Sequence, residues 1–577
     1  MYRSNRKQLL MTVLIIAFTF TALTIFSQEK SKSVVIEKPA ASTASIKMPP
    51  DLSIPDAVSY IKVKNLASFL ETMDYWAAAV RPELPKGTAK MTIGQQFGDP
   101  TMQTIDSSRP TGIVILDPKK FTNPFVMYLP VKETEKIAKS IQERGSFTIA
   151  SPADKMLVVA DDQTAVKRGF DAWPAIKGIL MKPPVTDIVA YVNVEQLMSI
   201  YGEEIRQKIK ELQSQMQMMQ QGTSQAQQQE MEAQIQEMLN LIEQISSCAL
   251  EIQARNSGLQ AGILAKAKSG TELFGLFSPG TTPEHSLYKY IPEGAISGSF
   301  AGDSEAITEF SGRLSNRMLQ KAGKFTEEQL ASIAKLQELQ KAAFGNQFAF
   351  SGFLPGSANL NGLMVYKIKD QKKAVEMLKE SVKQIEMFSD PQTGVTMTGE
   401  LKENFRKAGE VDIHKMTIKF NFQDPMQAQG MMMFFPQGQI ELEIGFFEDN
   451  MIYTMATPIE DIISNLKTKK AVNSMNSMNK FPSGGQFYMD VDVPKTIKGF
   501  MQPIFGMMMA MMGDQNPMKA FDQITAPPLT IYADSAGGTM KAEMDFPLEI
   551  ILELKKAFEQ MQKTMQPPSQ QQPAPMQ

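Results

Sequence analysis

Apolar and polar residues alternate through Asp56-Ala-Val-Ser-Tyr-Ile-Lys-Val-Lys-Asn-Leu66, and the alternation returns 131 residues later as Asp187-Ile-Val-Ala-Tyr-Val-Asn-Val-Glu-Gln-Leu197. Asp, Val, Tyr, Val and Leu hold register between the two runs. A period of two predicts a strand with one buried face, and the break at Leu66 or Leu197 predicts an amphipathic helix. Each run follows a proline, Pro55 or Pro184. Looser copies follow Pro292, over Glu293 to Phe300, and Pro482, over Gln486 to Val491.

Between these runs the pattern switches repeatedly from period two to period 3.6. Leu66, Phe69, Leu70 and Met73 mark one helix, and strands are expected at Gly112 to Leu116 and Asn123 to Tyr128. A helix around Ile137 and Ile141 follows, then a strand over Met156 to Ala160. Asp161 or Asp162 is placed to cap a short helix through Val166 and Phe170. Ile205, Ile209, Leu212, Met216 and Met219 are spaced 4, 3, 4, 3, as are Met231, Ile235, Met238, Ile242 and Ile245 after a turn at Gly222-Thr-Ser224. This coiled-coil-like spacing predicts an antiparallel helical hairpin over 203–245, each arm reaching about 25 to 30 Å at ~1.5 Å per residue. Strands at Ala249 to Ala254 and Leu259 to Leu264, joined at Arg255-Asn-Ser-Gly258, form the next hairpin.

The order then repeats. Asn361 to Tyr366 matches Asn123 to Tyr128 at an offset of 238, and Tyr488 to Val491 matches Tyr191 to Val194 at 297. The difference places an insertion over about 389–446, carrying alternating runs at Met416 to Phe422 and Ile440 to Phe446. Ile497, Met501, Ile504, Met508 and Met511 repeat the arm spacing, strands over Leu529 to Tyr532 and Thr539 to Met544 follow, and a helix runs to about Met565. The expected fold is α+β: two duplicated halves, 51–285 and 286–562, of antiparallel sheet with covering helices and a projecting helical hairpin.

Composition adds the setting. Arg3, Arg6 and Lys7 precede an uncharged apolar run from Leu9 to Phe26, so residues 1–28 read as a signal peptide or signal anchor that places the rest outside the cytoplasm. Residues 29–50 read as a flexible linker, and 563–577, rich in Gln and Pro, as a disordered tail. Lys plus Arg number 59 against 62 Asp plus Glu, and the net charge of −3 gives no footprint for nucleic acid. Cys248 is the single cysteine, so no intramolecular disulfide forms.

Catalytic patterns are sparse. Phosphate-binding and dinucleotide-binding glycine motifs are missing, and His285 and His414, 129 residues apart, are too few for a His/Cys zinc site. Gly298-Ser-Phe-Ala-Gly302 is the nearest approach to a nucleophile elbow, with its serine one place early. Paired carboxylates of an envelope hydrolase remain open as an alternative, because spacing does not reveal which acids the fold brings together. Asp56 and Asp187 are expected to end the turns before their strands, and Tyr60, Tyr191 and Tyr488 to bury their rings with the hydroxyls at the rim.

Methionine stands out, with 42 residues. Met431, Met432, Met433, Phe434 and Phe435 form one cluster, and Met507, Met508, Met511 and Met512 another. Thioethers can hold copper(I), so a Met-rich copper(I)-binding protein stays open as an alternative, although adjacent methionines on a helix point in different directions. Flexible, polarizable side chains in such groups suit apolar contact. The expected function is therefore non-enzymatic, without cofactor or metal: an extracytoplasmic envelope protein that binds or scaffolds through apolar Met-rich surfaces, meeting a membrane surface, a lipid or hydrophobic ligand, or a partner protein.

Overall fold

The computed structural model describes residues 47–565, except Ser53, Pro55 and the segments 144–146, 152–153, 220–224, 279–283, 323–325, 354–360, 388–394, 423–437 and 502–518. The N-terminal apolar run, the C-terminal tail, Met431 to Phe435 and Met507 to Met512 lie outside the described residues.

Helices occupy Leu66–Val80 (α1), Thr88–Gln96 (α2), Thr134–Glu143 (α3), Gln163–Leu180 (α4), Val194–Met219 (α5), Gln225–Glu243 (α6) and Glu272–Leu276 (α7). They continue with Ser304–Ala322 (α8), Glu327–Ala343 (α9), Gln371–Met387 (α10), Ile459–Thr468 (α11), Asn476–Lys480 (α12), Lys519–Asp522 (α13) and Leu548–Met565 (α14). The strands are β1 Ala57–Val63, β2 Thr111–Leu116, β3 Phe125–Pro130, β4 Thr148–Ala150, β5 Met156–Ala160, β6 Ile188–Asn193, β7 Ile245–Arg255, β8 Gly258–Ala267 and β9 Ile296–Ala301. The rest are β10 Phe344–Gly352, β11 Gly362–Ile368, β12 Val395–Ala408, β13 Val411–Phe422, β14 Gln439–Phe447, β15 Asn450–Met455, β16 Phe487–Val491, β17 Leu529–Ala536 and β18 Thr539–Pro547.

All eighteen strands join one antiparallel sheet. From edge to edge they run β4-β5-β3-β2-β1-β6-β7-β8, then β18-β17-β16-β9-β10-β11-β15-β14-β13-β12. The first eight strands therefore meet the last ten along the β8–β18 ladder, from Thr539↔Lys266 to Pro547↔Gly258. Gly258 makes that seam possible: its φ is +155°, and a Cβ there would lie 2.3 Å from the Phe546 carbonyl oxygen.

Helices cover the outer parts of both faces. On the face bearing Tyr60, α4 lays Trp173 and Ile176 over Val114, Val126 and Tyr128, and α11 lays Ile459 and Ile462 over Val365, Ile413 and Ile452. On the opposite face, α1 and α3 bury Leu66, Leu70, Ile137 and Ile141 against Leu129, Leu157 and Val159. There too Leu339, Ala374 and Leu378 of α9 and α10 pack on Met451, Phe446 and Ile444.

Several local expectations change in detail. Asp162 caps α4, accepting from the Thr164 N–H at 2.7 Å, but the helix runs on to Leu180 through Pro174. Burial of Trp173, Ile176 and Leu180 outweighs the one backbone bond that proline removes. Ile245 opens β7 instead of closing α6. β12, charged at Glu400, Lys402, Glu403, Arg406 and Lys407, has no clean apolar alternation, and pairing with β13 makes it a strand.

Candidate functional site

Antiparallel partners share a face of the sheet, so the register lists what lines its middle. One row across seven strands is Leu250, Ile263, Ala542, Ala533, Phe487, Phe300 and Phe348. The next row on the same face is Ile252, Ala261, Met544, Ile531, Met489, Gly298 and Phe350. Not one of the fourteen is polar, and all except Gly298 are partly or fully exposed. Ile263, beside the seam, is 54% exposed. Six strand spacings of ~4.8 Å make the strip about 29 Å long.

Two apolar clusters bound this strip on the same face. At one end of β7, β8 and β18, Leu241 of α6, Leu273 and Phe274 of α7 and Phe310 of α8 pack on Cys248, Ala265 and Met540. At the other end, Trp76 and Val80 of α1 join Leu548 and Leu552 of α14 over Leu259. Ala265 and Leu259 are about 20 Å apart along their strand, at ~3.4 Å per residue. The arrangement is a trough with a sheet floor and two helical walls.

Its floor is aromatic toward β10 and β11. Phe300 and Phe348 stack with centroids 5.2 Å apart, and Phe348 meets Tyr366 at 5.5 Å. Gly298 leaves room for this: a Cβ there would stand 2.3 Å from Phe350 Cζ.

The reverse face of the same strands is polar. Glu251, Gly262 and Glu543 share a row, and Glu543 leans over Gly262, its Cγ 3.4 Å from where a Cβ would be. Burial, aided by Glu543, raises the Glu251 carboxyl above the usual range, with Lys541 opposing. Burial likewise raises Asp534. Lys541 pairs with Glu543 at 2.9 Å, and Lys480 with Asp545 at 2.6 Å. Lysines thus neutralise Glu543 and Asp545 on this face.

The two histidines do not come together. His285 lies in the connection between β8 and β9, with Nε2 at 2.7 Å from the Gly485 carbonyl and Nδ1 at 2.8 Å from Ser299 Oγ. Because the carbonyl only accepts, Nε2 carries the proton and Ser299 donates to Nδ1. Ser299, from the near-elbow sequence, is 2% exposed and its histidine is oriented by a backbone carbonyl rather than a carboxylate. The pair stitches a linker to the sheet. His414 Nδ1 accepts from the Asn404 N–H at 3.4 Å, where β12 bulges.

The recurring Asp and Tyr residues have structural partners. Asp187 Oδ2 accepts from the Ala254 N–H and from Gln253 Nε2, both at 2.8 Å, which ties the end of β7 to β6. Asp56 instead pairs with Lys120 at 2.6 Å and Arg168 at 2.9 Å, and the Lys120 hydrogen bond holds its carboxyl below the usual range. Tyr60 and Tyr191 stack at 5.3 Å. Tyr60 donates to the Pro50 carbonyl at 2.9 Å and Tyr488 to the Pro482 carbonyl at 2.5 Å.

Among the described residues no group of three or more His, Cys, Asp or Glu is placed to hold a metal ion, and no helix is long and apolar enough to cross a membrane. The alternation of individual floor strands is visible in the sequence, but the floor they assemble is not. Cys248, Leu250 and Ile252 alternate with Glu251 and Gln253, as Met540, Ala542 and Met544 do with Lys541, Glu543 and Asp545. No protein-family model, no curated protein and no solved structure matches this chain.

Proposed function

We propose that this is a non-enzymatic, extracytoplasmic protein that holds the acyl chain of a lipid in the trough. The two rows of apolar side chains, centred on the exposed Ile263, carry the reading. Backbone donors and acceptors in the strip are taken by the ladders, so the floor offers dispersion and desolvation but no hydrogen bonds. A hydrocarbon chain asks for nothing else, whereas an extended peptide would leave its own backbone groups unpaired. Among the described residues the strip stays partly exposed, and an apolar strip of this extent marks an interaction site rather than ordinary surface. Placement outside the cytoplasm rests on the basic and apolar N-terminus.

The reading includes duplication. The orders β4-β5-β3-β2-β1-β6-β7-β8 and β14-β15-β11-β10-β9-β16-β17-β18 correspond strand for strand, which supports two copies related across β8 and β18, with β12 and β13 added to the second. The strip then lies across the junction of the copies, where neither alone makes a complete floor.

The test is titration with a fluorescent fatty acid. Ile263→Lys puts an ammonium at the middle of the floor on a side chain already 54% exposed, so folding is kept. Affinity should weaken at least tenfold, about 1.4 kcal/mol, with an unchanged unfolding midpoint. Equal affinity in both proteins would remove the trough as the site.

A further inference from the structure

One wall of the trough is joined by charge as well as by the hydrocarbon of Leu241, Phe274 and Phe310. Arg317 on α8 reaches Glu237 of α6 through Nε at 3.1 Å, and both oxygens of Glu272 on α7 through its terminal nitrogens at 3.0 Å. Arg313, one turn earlier, adds a second contact to Glu272 at 3.2 Å. Glu237 is 1% exposed and also accepts from Asn240 Nδ2 at 3.2 Å. The helices come from opposite sides of the seam: α6 and α7 flank β7 and β8, while α8 follows β9.

We propose that Arg317 is the pin of a clasp, and that parting of α6 from α8 opens this wall for lateral entry of the acyl chain; the inference rests on the trough being the lipid site. An apolar helix contact of similar area resists separation because parting exposes hydrocarbon to water. Charged groups are rehydrated as they separate, so an ionic joint opens at lower cost while remaining specific in register. The bidentate fork onto Glu272 and the additional bond to Glu237 fix a single closed position. Phe310, two turns before Arg317 on the same face of α8, packs against the cluster that holds Ala265 and Met540 at this end of the trough, so movement of α8 uncovers that end of the floor.

The experiment compares hydrogen exchange and fluorescent fatty-acid association in the full-length protein, Arg317→Met and Glu237→Gln/Arg317→Met. Removing the arginine alone leaves the buried Glu237 carboxylate without its cation, whereas the double change removes that carboxylate too and leaves Glu272 paired with Arg313. Arg317→Met should raise exchange at least tenfold in 225–243 and 304–322, leave β10 and β11 protected, and speed association at least tenfold. The double variant should restore slow exchange and slow association. Unchanged exchange in those helices, or a rise spread evenly over the sheet, would overturn the clasp. Absence of fatty-acid binding in every protein would overturn the trough reading, and the entry role with it, while the exchange data still report whether the helices are pinned.

Discussion

Single residues decide which face of the central sheet is wet. Along β7 the side chains alternate between Leu250 and Ile252 on one face and Glu251 and Gln253 on the other, and a one-residue slip would exchange them. The polar face is not fully solvated, and Glu251 bears the cost: burial first, then Glu543, disfavours its charged form. Its folded pKa lies above the unfolded value, so its contribution favours the fold at low pH and is lost as pH rises through the folded pKa. Glu251→Gln should therefore stabilise the protein at pH 7 by on the order of 1 kcal/mol, with the advantage gone near pH 4 where the wild-type carboxyl is protonated. Urea unfolding at the two pH values checks this; a Gln variant less stable at pH 7 would show the charge is needed by Lys541.

At the scale of elements, the connection from β8 to β9 carries the chain past the seam, and His285 anchors it to Ser299 and to Gly485 ahead of β16. Burial holds its imidazole below the ordinary value of 6.5. Between the folded and unfolded pKa values the unfolded chain binds more protons, so stability falls as pH drops below about 6.5. His414, also lowered by burial, adds to the same slope. In His285→Asn the loss of stability between pH 7 and 5.5 should be shallower than in wild type, although about 1 kcal/mol is forfeited at pH 7 with its hydrogen bonds. An unaltered slope would mean His285 is not buried neutral. Elements of this kind separate what sequence discloses from what it hides. Alternation in β1, β6, β8, β13 and β18 is a local property and was legible. β12 was not, because its charges suit only an edge position, and the α4 terminus was obscured by Pro174. The trough floor needs the neighbour order β7-β8-β18-β17-β16, a set of pairings across hundreds of residues that no local pattern contains.

Across the whole molecule, each wall of the trough is built from both sides of the seam. Arg317 of α8 meets Glu237 of α6 on one wall; on the other, α14 near the end of the described chain packs on α1 near its beginning. The β8–β18 ladder alone would be a single strand-to-strand joint, free to flex, and the two helical walls brace it from either end. Trp76 reports on the second brace: it is 4% exposed among Val80, Leu548 and Leu552, and its indole N–H donates to the Arg255 carbonyl at 2.7 Å. Leu552 is 7% exposed, so Leu552→Asp buries a carboxylate against an indole and should release α14, at a cost of about 3 kcal/mol. In a Trp173→Phe background, which leaves Trp76 as the one tryptophan, emission should shift to the red. Exchange in α6 and α8 should stay slow, because the walls touch different ends of the strands. If α6 and α8 loosen together with Trp76, the braces are not independent and the sheet transmits strain from one wall to the other. If neither changes, α14 is held by contacts other than Leu552, and the brace must be sought in Leu548 and Trp76.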